Sequence, residues 1–346
     1  KFIMAYTTIN KSTDYFNTKL YTGNGSSQNI SGLDFKPDFT WIKSRSLVKD
    51  HDLYDIVRGV DKPLESNTTG AEQDAGGQGL TSFRSDGFAI GNRSTINTNS
   101  ATQVAWNWLA GGGAGSSNTD GSITSTVSAN AAAGFSIVKF TGTGSVGTIG
   151  HGLSSAPKMI IIKGYSNSPS WQVYHDAMGN NKFIELDSNQ PEQTKTNIWN
   201  STTPGSSTFT VGTEGDVNGS GQTMIAYCFA NVTGHSKIGS YTGNGNADGT
   251  FVYTGFKPAF VMIKRTNDAN DWFLQDNKRL GYNAANYYLE ANTNLAEQSN
   301  SDIDILSNGF KCRSNGGGHN NSGGNYIYLA FGQSLVGSNN VPCTAR

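Results

Sequence analysis

The pentapeptide YTGNG stands at residues 21–25, returns unchanged at 241–245, and has the relative FTGTG between them at 140–144. A sequence that recurs at a fixed period must repeat a structural unit, so this feature limits the fold more than any single motif does. Other segments keep the same offset. FKPDFTWIK, APKMIIIK and FKPAFVMIK end at Lys43, Lys163 and Lys264, which lie 120 and 101 residues apart. DGFAIG, STFTVG and NGFKCR place Phe88, Phe209 and Phe310 at separations of 121 and 101. VAWNW, IAYCF and IYLAF close the copies at Trp108, Phe229 and Phe331, separated by 121 and 102. A unit of about 90 to 100 residues is thus written three times.

Within a unit, strand signals come every 8 to 15 residues. In the second copy they are FSIVKFT, KMIIIKG, SWQVYHD, KFIELD, STFTVG and TMIAYCFA, each bounded by Gly, Asn, Ser or Pro. The continuous apolar run KMIIIK suits a central strand covered on both faces, whereas the alternating SWQVYH calls for one wet face. These signals predict an all-β protein of three tandem antiparallel β-sandwich, jelly-roll-like lobes. The first lobe with an N-terminal extension takes residues 1–110, the second 134–233, and the third with a C-terminal tail 234–346. Residues 111–133, GGGAGSSNTDGSITSTVSANAAA, have almost no apolar side chains and read as a flexible linker, which predicts a hinge and an elongated chain. The pentapeptide reads as a turn: its aromatic packs inward and its glycines take positive φ. A phosphate cradle is disfavoured, since no Lys-Ser/Thr completes a P-loop and no helix pattern follows.

Composition excludes several classes of function. Charged residues are 15% of the chain and the formal net charge is −1, which provides no counterion-releasing surface for nucleic acid. No apolar run approaches a membrane span, and KFIMAY is too short for a signal-peptide core, so a chain that is neither inserted nor Sec-exported is expected. Cys228, Cys312 and Cys343 are odd in number and lack CxxC spacing, and read as isolated small apolar residues. His51, His151, His175, His235 and His319 show no metal-ligand spacing, and no Gly-x-Ser-x-Gly elbow is present. NADG and NTDG read as Asx turns, because neither continues into a calcium loop. No cofactor or metal is expected.

Two constellations stand out as candidate sites. Asp55, Asp176 and Asp276 follow the recurring lysines by 12 or 13 residues, and Glu65, Glu185 and Glu290 come next. A carboxylate pair could serve glycoside hydrolysis, but a group needed once per lobe suits a structural contact better than an active site. The second candidate is aromatic: Trp171 with Tyr174, and Trp272 with Phe273, on the strand expected to have a wet face. Such rings could hold a sugar; the competing reading places them in the core.

The chain also resembles a known family. MAYTTINKSTDYFNTKLYTGNG from Met4, TDGSITSTVSANAAAGFSIVKFTGTG with GHGLSSAPKMIIIK, and GSYTGNGNADGTFVYTGFKPAFVMIKR with GGNYIYLAFGQS are similar to tail-fibre and other virion structural proteins of tailed, often marine, bacteriophages. The resemblance covers nearly the whole chain and makes Lys1–Ile3 an extension upstream of the natural start. It implies a non-enzymatic virion component folded in the bacterial cytoplasm, with other virion proteins as partners, a homo-oligomeric and preferably trimeric state, and a possible host-surface glycan. The alternatives are a glycan-binding module, a capsid decoration protein, and a polysaccharide depolymerase.

Overall fold

A computed structural model describes residues 6–279, 283, 287–300 and 302–336; Cys343 lies outside them. The fold is all-β, built from antiparallel sheets. Each copy of the repeat supplies one large sheet, and the strand order is the same in each. In copy one the opening strand Phe16–Thr22 pairs with the closing strand Thr102–Trp108. Next come the lysine strand Phe39–Ser44, then Asp52–Asp55, then Gly59–Leu64. Copy two repeats this with Phe135–Thr141, Thr223–Phe229, Met159–Gly164, Gln172–His175 and Lys182–Glu185. Copy three does so with Ser236–Thr242, Asn325–Gln333, Lys257–Arg265, Trp272–Asp276 and Tyr287–Glu290.

A small sheet covers one face of each large one. In copy one it is Gln28–Ser31, Gly87–Ile90 and Leu80–Arg84, and Ile30, Phe88 and Ile90 meet Ile42, Tyr54 and Ala105 of the large sheet in a sandwich core. Copies two and three have equivalent cores. The lysine strands are apolar on the other face too. Phe39 and Trp41, Met159 and Ile161, and Phe260 and Met262 alternate with the sandwich residues, as period-2 geometry requires. An apolar face without a second sheet must find other cover. The three copies cover one another: these residues form a single core that runs through the whole chain. At its centre Trp108, Phe229 and Phe331, equivalent closing residues, meet in a triangle with ring centroids 6.5, 5.9 and 6.0 Å apart. The expected elongated row of lobes is therefore replaced by a closed arrangement in which copy three returns to copy one.

The expected flexible linker is also corrected. Residues 111–133 contain the strands Ser116–Asn118 and Ser125–Asn130, which extend the large sheet of copy two beyond its opening strand. Ile123 and Val127 anchor this segment in the core of copy two, and Ile123 bridges to Ile149. Two apolar residues at the correct parity suffice to dock a segment that is otherwise polar.

The recurring pentapeptide is held by a residue far along the chain. Asn97, Asn218 and Asn320 are each fully buried, five residues before the closing strand begins. The Asn218 carboxamide accepts from Thr143 N at 2.8 Å and donates to Ser145 O and Gly212 O at 2.7 Å each. Asn97 and Asn320 make the matching bonds around the turns of copies one and three. Glycine is required here twice over. A Cβ on Gly23, Gly142 or Gly243 would run into a backbone oxygen of Thr98, Gly219 or Asn321, and Gly25, Gly144 and Gly245 have φ near +70°.

Candidate functional site

The residues that recur with chemical capacity are gathered at the three junctions between copies. Each junction contains one equivalent backbone bond. Glu72 N–H donates to Tyr165 O at 2.9 Å, Glu192 N–H to Thr266 O at 2.8 Å, and Glu297 N–H to Arg45 O at 2.7 Å, so copy one meets two, two meets three, and three meets one. The repeated lysines lie beside these bonds with their side chains buried. Lys163 Nζ donates to Thr69 O at 2.7 Å and to Pro169 O, Lys264 Nζ to Asn189 O at 2.9 Å and to Asn270 O, and Lys43 Nζ to Ser44 O at 3.0 Å and Asn294 O at 3.3 Å. Each ammonium thus ties its own copy to the preceding one around the ring. Burial pulls all three down to a pKa of about 8.

Glu65, Glu185 and Glu290 recur for their backbone. Trp171 Nε1–H donates to Glu65 O at 2.9 Å and Trp272 Nε1–H to Glu185 O at 2.8 Å. The third bond of this set comes from His51, which sits at the register position of the two tryptophans. Trp41 Nε1–H donates to His51 Nδ1 at 2.8 Å, which leaves the proton on Nε2 to reach Glu290 O at 3.0 Å. Burial, then the Lys43 charge, holds the His51 pKa well below the ordinary histidine range. The carboxyls of Glu65, Glu185 and Glu290 are raised by burial, and those of Glu65 and Glu290 accept from Gln73 and Thr293.

The aspartate series holds in only two copies. Asp55 pairs across the sheet with Phe39 and Asp276 with Phe260, but the residue opposite Met159 is His175. Asp55 Oδ2 accepts from Arg58 Nε at 2.5 Å and, across the junction, from Tyr227 OH at 2.8 Å. Asp276 Oδ2 accepts from Arg279 Nε at 2.6 Å and from Trp106 Nε1 at 3.0 Å, with the guanidinium 5.4 Å from the Trp106 ring. Arg58 continues to Glu72, and Arg279 to Glu297. Asp176, read as the second member of the series, is instead an exposed residue paired with Lys158 at 3.0 Å. Copy two replaces Asp and Arg with His175 and Met178, and Leu329 stands where Tyr227 and Trp106 stand at the other junctions. Burial lowers His175 to a pKa of about 4.

The aromatic sugar-binding candidates are corrected in the same way. Trp171, Tyr174 and Trp272 are at most 1% exposed and Phe273 is 8% exposed, so no ring offers a face to a ligand. Trp171 stacks on Tyr227, Tyr174 meets Trp199, and Phe273 packs against His319 and Tyr288. Their strands are wetted on neither face, because one face meets the sandwich core and the other the shared centre. Among the described residues the exposed aromatics are Tyr6, Phe251 and Tyr253, at 42%, 45% and 59%. An FVY run following a Gly-rich turn was the available signal for Phe251 and Tyr253.

The surface clefts are open. One of about 470 Å³ is lined by glycine, serine and backbone around Gly113, Ser117 and Asn118. Another of about 440 Å³, between copies two and three, is lined by the Lys182–Glu192 ion pair, Thr242 and Asn325. Among the described residues no three His, Cys, Asp or Glu side chains gather as a metal site, and no helix is long and apolar enough to cross a membrane. Cys228 and Cys312 are buried free thiols.

Fold and junctions together define a class: an antiparallel β protein whose recurring polar groups link copies of one sandwich unit into a ring. Residues 11–334, which take in all three copies, match the family described as a domain of unknown function, DUF7483, and the chain belongs to that family. No curated protein matches it.

Proposed function

We propose that the protein is a non-enzymatic structural component of a bacteriophage virion, a tail fibre or similar surface appendage with a role in host attachment. It would be assembled in the bacterial cytoplasm among other virion proteins. One observation carries this reading: Lys43, Lys163, Lys264, Asp55 and Asp276 are buried and engaged in holding the copies together. A block whose reactive groups face inward is suited to keeping its shape under load, and the family resemblance of the quoted motifs agrees with that role. We do not carry the homotrimer forward, since the three-way closure that a trimer makes from three chains is made here by three copies in one.

Gold-labelled antibody against the purified chain, applied to intact phage particles, tests the assignment; labelling at the tail or particle surface is expected. Reducing ends released from host capsular polysaccharide by the purified protein would replace this reading with that of a depolymerase.

A further inference from the structure

The outer edge of the small sheet is treated differently in each copy. Ile30, Ile149 and Val252 are equivalent, each opposite the recurring Phe88, Phe209 or Phe310. In copy one the flanking, outward residues are Asn29 and Ser31, both polar and exposed. In copy two they are Thr148 and Gly150, and the chain's own segment covers them: Ile123 N–H donates to Thr148 O at 2.9 Å, and Thr148 N–H to Ser122 Oγ at 2.9 Å. In copy three they are Phe251 and Tyr253, on an edge strand with no further strand paired to it among the described residues and with the pattern exposed, buried, exposed. The parity is set by Cys312 N–H donating to Thr250 O and Thr254 N–H to Asn308 O, which turns the N–H and C=O of Phe251 and Tyr253 outward.

We propose that this edge pairs with the same edge of a second copy of the chain. An antiparallel contact centred on Val252 sets Phe251 of one copy opposite Tyr253 of the other, and the reverse. Each pair then satisfies its outward N–H and C=O groups, and the rings meet as cross-strand neighbours. Tyr6 OH donates to Gly255 O at 2.9 Å and caps the end of the edge, limiting the contact to these residues. The covering used in copy two does not fit here. Asn118 lies where a side chain on Gly150 would be, and that position in copy three carries Tyr253. An aromatic, uncharged, unpaired edge is also the kind that other proteins protect.

So small a contact belongs at the weak end of specific interfaces, and its readout is concentration dependence. Sedimentation equilibrium over a roughly hundredfold concentration range should show the average mass rising from 36.8 kDa toward twice that value. The double variant Phe251→Asn/Tyr253→Ser, which installs the residues copy one carries at these positions, should stay monomeric at every concentration. Amide exchange on the wild-type chain should show the Phe251 and Tyr253 N–H groups slowing as concentration rises. A wild-type chain that is monomeric throughout overturns the proposal, as does a double variant that associates like wild type or an association that leaves both amides unprotected. The wild-type arms decide the matter without the variant should it fail to fold.

Discussion

Lys43 and Asn294 lie 251 positions apart in the chain, yet the Lys43 ammonium donates to the Asn294 carbonyl at 3.3 Å. This contact belongs to the junction that closes the ring, and Lys163 and Lys264 make its equivalents at the other two. The lysine recurs because its buried ammonium needs acceptors, and it finds them in its own copy and in a loop carbonyl of the neighbouring one.

Replacing Lys43 with Met keeps the apolar stem and removes the donor. The variant loses the bonds to Ser44 O and Asn294 O, of which Asn294 O keeps the Lys49 N–H, and should be less stable by about 1 kcal/mol in urea unfolding. Lys158→Met removes one side of an exposed ion pair and should be neutral within about 0.5 kcal/mol.

The junctions differ in a way that can be transplanted. Arg279→Met leaves Asp276 buried without its cation and should cost about 3–5 kcal/mol. Adding Asp276→His and Trp106→Leu reproduces the His175, Met178 and Leu329 combination of the remaining junction and should recover at least half of that loss. Recovery would show that the ion pair is one of two interchangeable ways to fill the same space.

Asn218→Ala removes three hydrogen bonds at the turn of copy two, and a loss of about 2–4 kcal/mol is expected from thermal or urea unfolding.

Acid should destabilise the fold through its buried histidines. Burial lowers His235 to a pKa of about 3, against 6.5 for the ordinary side chain, and its Nδ1 lies 3.0 Å from Ser12 Oγ. Between those values the unfolded chain binds a proton that the folded chain does not. Stability from this residue is therefore full above pH 6.5 and falls on acidification by about 1.4 kcal/mol per pH unit. The buried carboxyls of Glu65 and Glu290 are raised and act in the opposite sense, so the comparison of wild type with His235→Gln is the clean measurement. Between pH 6 and 4 the variant should show the shallower fall.

The strand content, the threefold repeat and the equivalence of the lysines were legible in the sequence, since apolar alternation, turn residues and fixed offsets carry them directly; the order of strands within a sheet was not, because pairing between distant strands leaves no local pattern. Closure of the ring was not, because the acceptors of Lys43, Lys163 and Lys264 are main-chain carbonyls that any residue supplies. KMIIIK did signal a strand covered on both faces; what covers its second face lies in the other copies. His51 stands in register with Trp171 and Trp272, but its change of residue type hides the relation. Asp176 misled by one position. The spacing of 13 rather than 12 from the lysine was the sign, since a one-residue slip along a strand turns a side chain to the opposite face. Residues 111–133 misled through composition, which averages away Ile123 and Val127.

The central claim, that copy three closes onto copy one, is tested most directly by a distance between spin labels at Val48 and Leu295 in a Cys343→Ser background. Both positions are exposed, and the adjacent Lys49 N–H donates to Asn294 O at 3.0 Å. A closed ring predicts a separation within about 20 Å, allowing for the reach of the labels. Three lobes in a row, each with a radius of gyration near 13 Å, would place the labels more than about 40 Å apart, and that result would contradict the account.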